Sequence, residues 1–334
     1  MTGHGKRPVV MLTNAIRPEP HALLAAHAEV RVAPATDADA LIRCAAEAEV
    51  IIVRAPLPAA AMAGAPRLRG VVRHGAGVDM IPVEAASELG IAVANVPGTN
   101  AVSVAEYVVG QMLALTHRLN RIDKTLRTQG WSPARALADD SIEARGRTVG
   151  IVGLGAIGLE VARICADGLR MNVLGLRRST APMPAFVTPS GLDELLARSD
   201  VVVLACPLND STRGLLSADR LARMKRSAFL VNVSRGPVVD EAALAAALQD
   251  GRLAGAALDV FEQQPLPTSS PLFSLPNVIL STHLAGITED SMRRMGEIAV
   301  RQTLALLRGQ LPEHFVNTDA AAAVRARLAS LENA

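Results

Sequence analysis

The sequence predicts an α/β protein made of two doubly wound parallel-sheet units. Short β-branched runs alternate with Ala-rich helical stretches along the whole chain, the pattern of parallel sheets covered by helices on both faces. At 334 residues the chain exceeds one domain of ordinary size, so two cores are expected. Half of the residues are apolar and only 2% are aromatic, so these cores must be filled by Ala, Val, Leu and Ile.

In the first unit the strand candidates are Val9–Leu12, Glu29–Val32, Val50–Val53, Gly70–Arg73 and 91–94, with helical segments at 38–46 and 82–89 between them. A long helical stretch over 101–127 follows as a candidate connector. Asn100 or Ser103 is available as its N-cap, and Val104, Val108, Met112 and Leu115 form its apolar stripe. A second set of strands is predicted at Thr148–Val152, Asn172–Leu176, Val201–Leu204, Phe229–Asn232, Gly255–Leu258 and Val278–Leu280. The Pro/Ser-rich segment 265–276 reads as an irregular loop inside this unit, because a strand resumes directly after it. A helix over Glu289–Leu307 follows, and the Ala-rich last fifteen residues are expected to fray.

Composition excludes several function classes. Lys+Arg number 34 against 32 Asp+Glu, a formal charge of +2, which argues against a nucleic-acid partner. So few aromatics cannot stack bases in series. Lysine stands only at Lys6, Lys124 and Lys225, so nearly all positive charge is arginine, whose rigid fork suits carboxylate and phosphate. No apolar run reaches membrane-spanning length, and Cys44, Cys165 and Cys206 are odd in number and far apart. With no signal-like apolar core at the N-terminus, a cytoplasmic protein with reduced thiols and no membrane partner is expected. No Cys/His cluster suggests a metal.

The strand Thr148–Val152 runs directly into Gly153-Leu154-Gly155-Ala156-Ile157-Gly158 and then a helical pattern. Glycines there permit a tight turn, close approach to a pyrophosphate and helix–strand contact, while the helix N-terminus presents N–H groups and positive dipole. Alone, a glycine turn could be ligand-free; the strand before and the helix after make it a dinucleotide fingerprint. The second strand should end in an acid, about 20 residues on, that binds the ribose hydroxyls. Here it ends in Arg177-Arg178-Ser179. Two guanidiniums and a hydroxyl suit a 2′-phosphate, so NADP(H) is favoured over NAD(H).

Several further motifs occur in order: Arg73-His74-Gly75-Ala76-Gly77-Val78-Asp79, Asn95-Val96-Pro97-Gly98, Ser103-Val104-Ala105-Glu106, Asn232-Val233-Ser234-Arg235-Gly236, Leu258-Asp259-Val260-Phe261-Glu262 and Thr282-His283-Leu284-Ala285-Gly286. With the glycine fingerprint, they make the chain resemble the D-isomer-specific 2-hydroxyacid dehydrogenases, the family of phosphoglycerate dehydrogenases and glyoxylate/hydroxypyruvate reductases. The resemblance implies a Rossmann cofactor domain, 100–286, inserted in a flavodoxin-like substrate domain made of 1–99 and 287–334. It also implies hydride transfer between NAD(P) and a small 2-oxo/2-hydroxy acid, and a homodimer.

By motif position, Arg235 matches the family's catalytic arginine and His283 its catalytic histidine. A planar bidentate cation holds the substrate carboxylate, and an imidazole exchanges protons near neutrality. The resemblance adds Cys206, Pro207, Thr212, Val233, Asp259 and Ala285 to the cofactor surface. It assigns Arg54, His74, Ala76, Gly77 and Asn100 to the substrate, the small residues at 76 and 77 offering backbone amides. One position departs from the pattern: where the family pairs a glutamate with the histidine, this chain has Gln264. An amide orients the ring without supplying charge, so reduction is expected to shift to lower pH unless a different register brings Glu262 into that place. Two alternatives stay open: proton-free oxidation of the formate dehydrogenase kind, and a dinucleotide-sensing protein like the family's corepressors.

Overall fold

Runs such as Val50–Val53 and Val201–Leu204 are buried at every residue, which requires a sheet covered on both faces. The protein, seen in a computed structural model that describes residues 7–178 and 182–332, places them in two all-parallel sheets. The chain divides into two units, Met1–Asn100 with Thr288–Ala334, and Ala101–Ile287.

The first unit has a five-stranded sheet of order β2-β1-β3-β4-β5, with β1 Val9–Leu12, β2 Glu29–Val32, β3 Val50–Val53, β4 Gly70–Arg73 and β5 Ala92–Ala94. Side-chain alternation divides its core. Val10, Leu12, Val50, Ile52 and Val72 pack with Met292, Met295 and Ala299 of the helix Glu289–Leu307. Met11, Ile51, Val53 and Val71 face the other way, against Leu41 and Met62. Each such side chain contributes about 1.5–3 kcal/mol on burial. Gly70 lets the long helix sit close, since a Cβ there would lie 2.6 Å from Leu306.

The C-terminal segment does not fray as expected. It forms the helix Ala321–Glu332, with Val324 and Leu328 buried against the first sheet's core. Arg327 clamps it, its Nε donating to the Leu68 carbonyl at 2.7 Å and Nη2 to that of Pro66 at 3.0 Å. Two apolar anchors and one arginine outweigh the weak amphipathic pattern of an Ala-rich tail.

The second unit has a seven-stranded sheet of order β12-β11-β10-β9-β6-β7-β8. Its strands are β6 Thr148–Val152, β7 Asn172–Leu176, β8 Thr188–Pro189, β9 Val201–Leu204, β10 Phe229–Asn232, β11 Gly255–Leu258 and β12 Val278–Leu280. Only the two-residue β8 was not legible, being too short for a period-2 signal. The predicted helix over 101–127 is two helices, Ala101–Thr116 and Leu119–Gln129, separated by Arg118 in the left-handed region at φ 55°. The stripe Val104, Val108, Met112 and Leu115 is buried, whereas the second helix has no buried residue to hold it on the same axis. Ser103 lies inside the first helix and is buried, so it is no cap; Asn100 is the residue before the helix. The loop 265–276 carries one short turn, Pro271–Ser274, anchored by buried Leu272.

Among the described residues no helix is long and apolar enough to cross a membrane.

Candidate active site

In the second unit the sheet order reverses between β6 and β9, and an open α/β sheet binds ligands outside the carboxyl ends of strands at such a point. Gly153 follows β6 there. Its φ is 100°, and a Cβ would stand 2.6 Å from the Cys206 amide nitrogen, so only glycine fits between the two strand ends. A Cβ on Gly158 would fall 2.0 Å from the Gly153 carbonyl oxygen, which makes it the close-contact glycine of helix and turn. Gly155 meets nothing within 4 Å and is exposed. The helix Ala156–Arg163 begins behind it with no side-chain cap, so the first turn of Ala156 and Ile157 is open to an anion. Two glycines forced by packing and one left open are what a pyrophosphate cradle requires, and the residues fit a dinucleotide.

Beside this cradle, β7 ends in Arg177 and Arg178. Arg177 is half-buried and donates through Nη2 to the Pro182 carbonyl at 2.7 Å, while Arg178 is exposed. Burial pushes the Cys206 thiol up, and the nearby Arg178 charge acts in the opposite direction. Ser179 lies outside the described residues. From β9 the chain turns through Cys206 and Pro207. Thr212 closes this loop, its Oγ1 donating to the Pro207 carbonyl at 2.7 Å and accepting from the Asn209 amide at 2.8 Å.

The next strand ends carry Arg235 and His283. After β10, Asn232 folds the chain back: its Oδ1 accepts from the Ser234 amide at 3.0 Å and hydroxyl at 2.6 Å, and its Nδ2 donates to the Arg235 carbonyl. Gly236 then permits backbone-on-backbone contact, since a Cβ would stand 1.9 Å from the Phe261 carbonyl carbon. The Arg235 turn is thus locked against the segment after β11. Its guanidinium donates to the Ser234 carbonyl at 2.7 Å and is half-buried.

His283 follows β12 in the left-handed region, φ 57°, a conformation that a bulky residue holds only when its surroundings impose it. Here they do. Its amide donates to the Asp259 carbonyl at 2.8 Å, and the amides of Leu284 and Ala285 donate to the two oxygens of the Asp259 carboxylate at 2.8 and 2.9 Å. Asp259 is buried, and Ala285 packs into the core below. The imidazole Nδ1 lies 3.2 Å from Gln264 Oε1. Gln264 thus partners the ring at Nδ1, and the Glu262 backbone amide donates to Glu241 Oε2 at 2.9 Å. Val233, partly buried, packs beside β10.

In the first unit Arg54 and His74 follow the adjacent strands β3 and β4. The Arg54 amide donates to Thr13 Oγ1 at 2.8 Å and its guanidinium to the Ala15 carbonyl; burial pushes its pKa down. His74 is 3% exposed, and burial, with Arg54 and then Arg73 as neighbouring charges, pushes its pKa down to about 4, so it is neutral at pH 7. Arg73 holds the following turn through Nε to the Gly77 carbonyl at 3.0 Å. Asn95 donates to the Ala76 carbonyl at 2.7 Å, and Gly75, at φ 148°, makes the bend. Asn100 is the last residue of this segment before the second unit.

Sequence reasoning missed Tyr107 and Ser281. The Tyr107 hydroxyl lies 2.5 Å from Ser281 Oγ, and Ser281 Oγ donates to Asp259 Oδ1 at 2.6 Å. No sequence signal links residues this far apart.

Comparison with known proteins fits this arrangement. Residues 109–285 match the family model described as D-isomer specific 2-hydroxyacid dehydrogenase, NAD binding domain. The chain is 39% identical over 270 residues to a glyoxylate reductase of Thermofilum pendens, covering 79% of each chain. It is 34% identical over 314 residues to a D-3-phosphoglycerate dehydrogenase of Methanocaldococcus jannaschii, covering 92% of this chain and 59% of that one. Among solved structures, an NADPH-dependent glyoxylate/hydroxypyruvate reductase of Sinorhizobium meliloti, in complex with NADP and malonate, has a TM-score of 0.82 at 29% identity, covering 95% of this chain and 98% of that one. The chain therefore belongs to the D-isomer-specific 2-hydroxyacid dehydrogenase family, nicotinamide-dependent oxidoreductases that act on 2-oxo and 2-hydroxy acids.

Proposed function

We propose that this enzyme reduces a small 2-oxo acid of the glyoxylate or hydroxypyruvate kind to its D-2-hydroxy acid, using NADPH in preference to NADH. The observation that carries the reading is the His283–Gln264 hydrogen bond, set by a strained backbone at a strand end of the dinucleotide-binding sheet. Gly153, Gly155, Ala156, Ile157 and Gly158 would hold the pyrophosphate, and Arg177, Arg178 and Ser179 the 2′-phosphate. The bound nicotinamide supplies the hydride that reaches substrate C2.

This chain's residues do the rest. Arg235 holds the substrate carboxylate in a planar fork and polarises the C2 carbonyl. The imidazolium of His283 keeps its Nδ1–H on Gln264 Oε1 and gives its Nε2 proton to the carbonyl oxygen, leaving the neutral ring with Nδ1 still protonated. Oxidation runs the same transfer backwards. In this reading Ala76, Gly77, Asn100, Arg54 and His74 are the further substrate candidates that the family resemblance offers, and the enzyme is a cytoplasmic homodimer. Glyoxylate and hydroxypyruvate match the activities for which the similar reductases are named.

The test is initial-rate assay of glyoxylate, hydroxypyruvate and 3-phosphohydroxypyruvate with NADPH and NADH in parallel, with His283→Ala as control. Turnover of the first two, preferring NADPH and lost in the variant, is expected. Preference for the phosphorylated acid or for NADH would overturn those parts of the reading. Gln264 also favours a second reading, proton-free oxidation of a formate-like donor, which predicts oxidation that survives loss of the His283 proton. Tight dinucleotide binding without turnover of any 2-oxo acid would instead point to a sensor.

A further inference from the structure

We infer that Tyr107 is a positioning residue for His283, acting through Ser281 and the buried carboxylate of Asp259. The inference rests on the reading of His283 as the proton carrier.

Proton counting gives the chain a direction. An ionised carboxylate only accepts, so the Ser281 hydroxyl, 2.6 Å from Asp259 Oδ1, must donate to it. A hydroxyl has one proton, so Ser281 Oγ then accepts from the Tyr107 hydroxyl at 2.5 Å. The sequence Tyr107 O–H to Ser281 O–H to Asp259 carboxylate has no alternative arrangement while Asp259 is ionised. Asp259 is 2% exposed and is held by the Ser281 hydroxyl and by the amides of Leu284 and Ala285. Its backbone carbonyl accepts from His283 itself. The residues on both sides of His283 are therefore tied to one aspartate, and that aspartate is tied by two hydroxyls to the helix Ala101–Thr116.

This matters because His283 sits in the left-handed region and its ring contacts an uncharged amide. The partner at 264 orients the imidazole without charge, so the backbone turn that carries the ring contributes to its position. That turn depends on the Asp259 carboxylate having a full set of donors. Removing the Ser281 hydroxyl leaves the buried carboxylate short of a donor, and the turn shifts to recover it; removing the Tyr107 hydroxyl leaves that donor in place but without the partner that aims it at Asp259.

The experiment measures 2-oxo acid reduction by Tyr107→Phe, Ser281→Ala, Ser281→Thr and the double variant Tyr107→Phe/Ser281→Ala, beside His283→Ala. Ser281→Ala should lower kcat about tenfold and Tyr107→Phe by a smaller, clearly measurable factor, each with KM for the dinucleotide unchanged. The double variant should be no worse than Ser281→Ala, since both break one chain, and Ser281→Thr, which keeps a hydroxyl, should retain most activity. A wild-type kcat in Tyr107→Phe, losses that multiply in the double variant, or a rise in dinucleotide KM that accounts for the loss would overturn the role. If His283→Ala keeps full turnover, the proton-carrier reading itself fails; if that variant is inactive while Tyr107→Phe is normal, only the positioning role fails.

Discussion

His283 Nδ1 lies 3.2 Å from Gln264 Oε1, so the ring is oriented by an amide that carries no charge. A carboxylate in that place would favour the imidazolium over the neutral ring. Gln264→Glu should therefore extend reduction toward alkaline pH, moving the upper limb of the kcat/KM profile by about one unit. The profile of 2-oxo acid reduction from pH 5.5 to 9 checks this, and an unmoved limb would show that Gln264 does not govern the proton.

Arg177 and Arg178 are both offered to a 2′-phosphate, but they are placed differently. Arg177 already donates to the Pro182 carbonyl, whereas Arg178 is exposed beside Cys206. A charge-assisted bond to phosphate contributes about 1.5–3 kcal/mol, roughly ten- to a hundredfold in affinity. Arg178→Ala should raise the NADPH KM by about tenfold or more and leave the NADH KM unchanged, with a smaller effect from Arg177→Ala. Equal effects on the two cofactors would remove the arginines from 2′-phosphate recognition.

Central strands such as Val50–Val53 and Val201–Leu204 were legible because fully buried parallel strands are continuous apolar runs, and the glycine turn because its chemistry is local. The helix break at Arg118 and the docked C-terminal helix were not, since each depends on what the surrounding chain packs against rather than on its own pattern. Gln264 could be placed opposite His283 only through the family's spacing. Tyr107 and Ser281 stand 174 residues apart, and a hydroxyl pair at that separation leaves no mark in composition or periodicity.

The glycines at 155 and 158 separate packing from ligand approach. A Cβ at Gly158 collides with the Gly153 carbonyl at 2.0 Å, so Gly158→Ala should lower Tm and abolish dinucleotide binding together. At Gly155 a Cβ meets no protein atom within 4 Å, and the φ of −83° suits alanine. Gly155→Ala should leave Tm within about 2 °C of wild type while weakening dinucleotide affinity, because the methyl occupies the space a pyrophosphate needs. Thermal melts and fluorescence titration with NADPH distinguish the two. Normal binding in Gly155→Ala would place the pyrophosphate elsewhere.

Stability in the acid range should report on His74. Burial and the Arg54 charge push its folded-state pKa down to about 4, from an ordinary 6.5. Between those values the unfolded chain binds the proton and the folded chain does not, so unfolding takes up protons and stability rises with pH. The stabilisation from keeping this ring neutral is complete above pH 6.5 and is lost as pH falls toward 4, by about 3 kcal/mol in all. His74→Phe fills the site with a ring that cannot titrate. Urea unfolding of both proteins at pH 7.5, 6, 5 and 4.5 should therefore show the variant gaining on wild type as pH drops, while other titrating groups cancel in the difference. A difference that stays constant across this range would mean that His74 gains a partner for its charge in the folded state, and with it a ring open to solvent or to an anion.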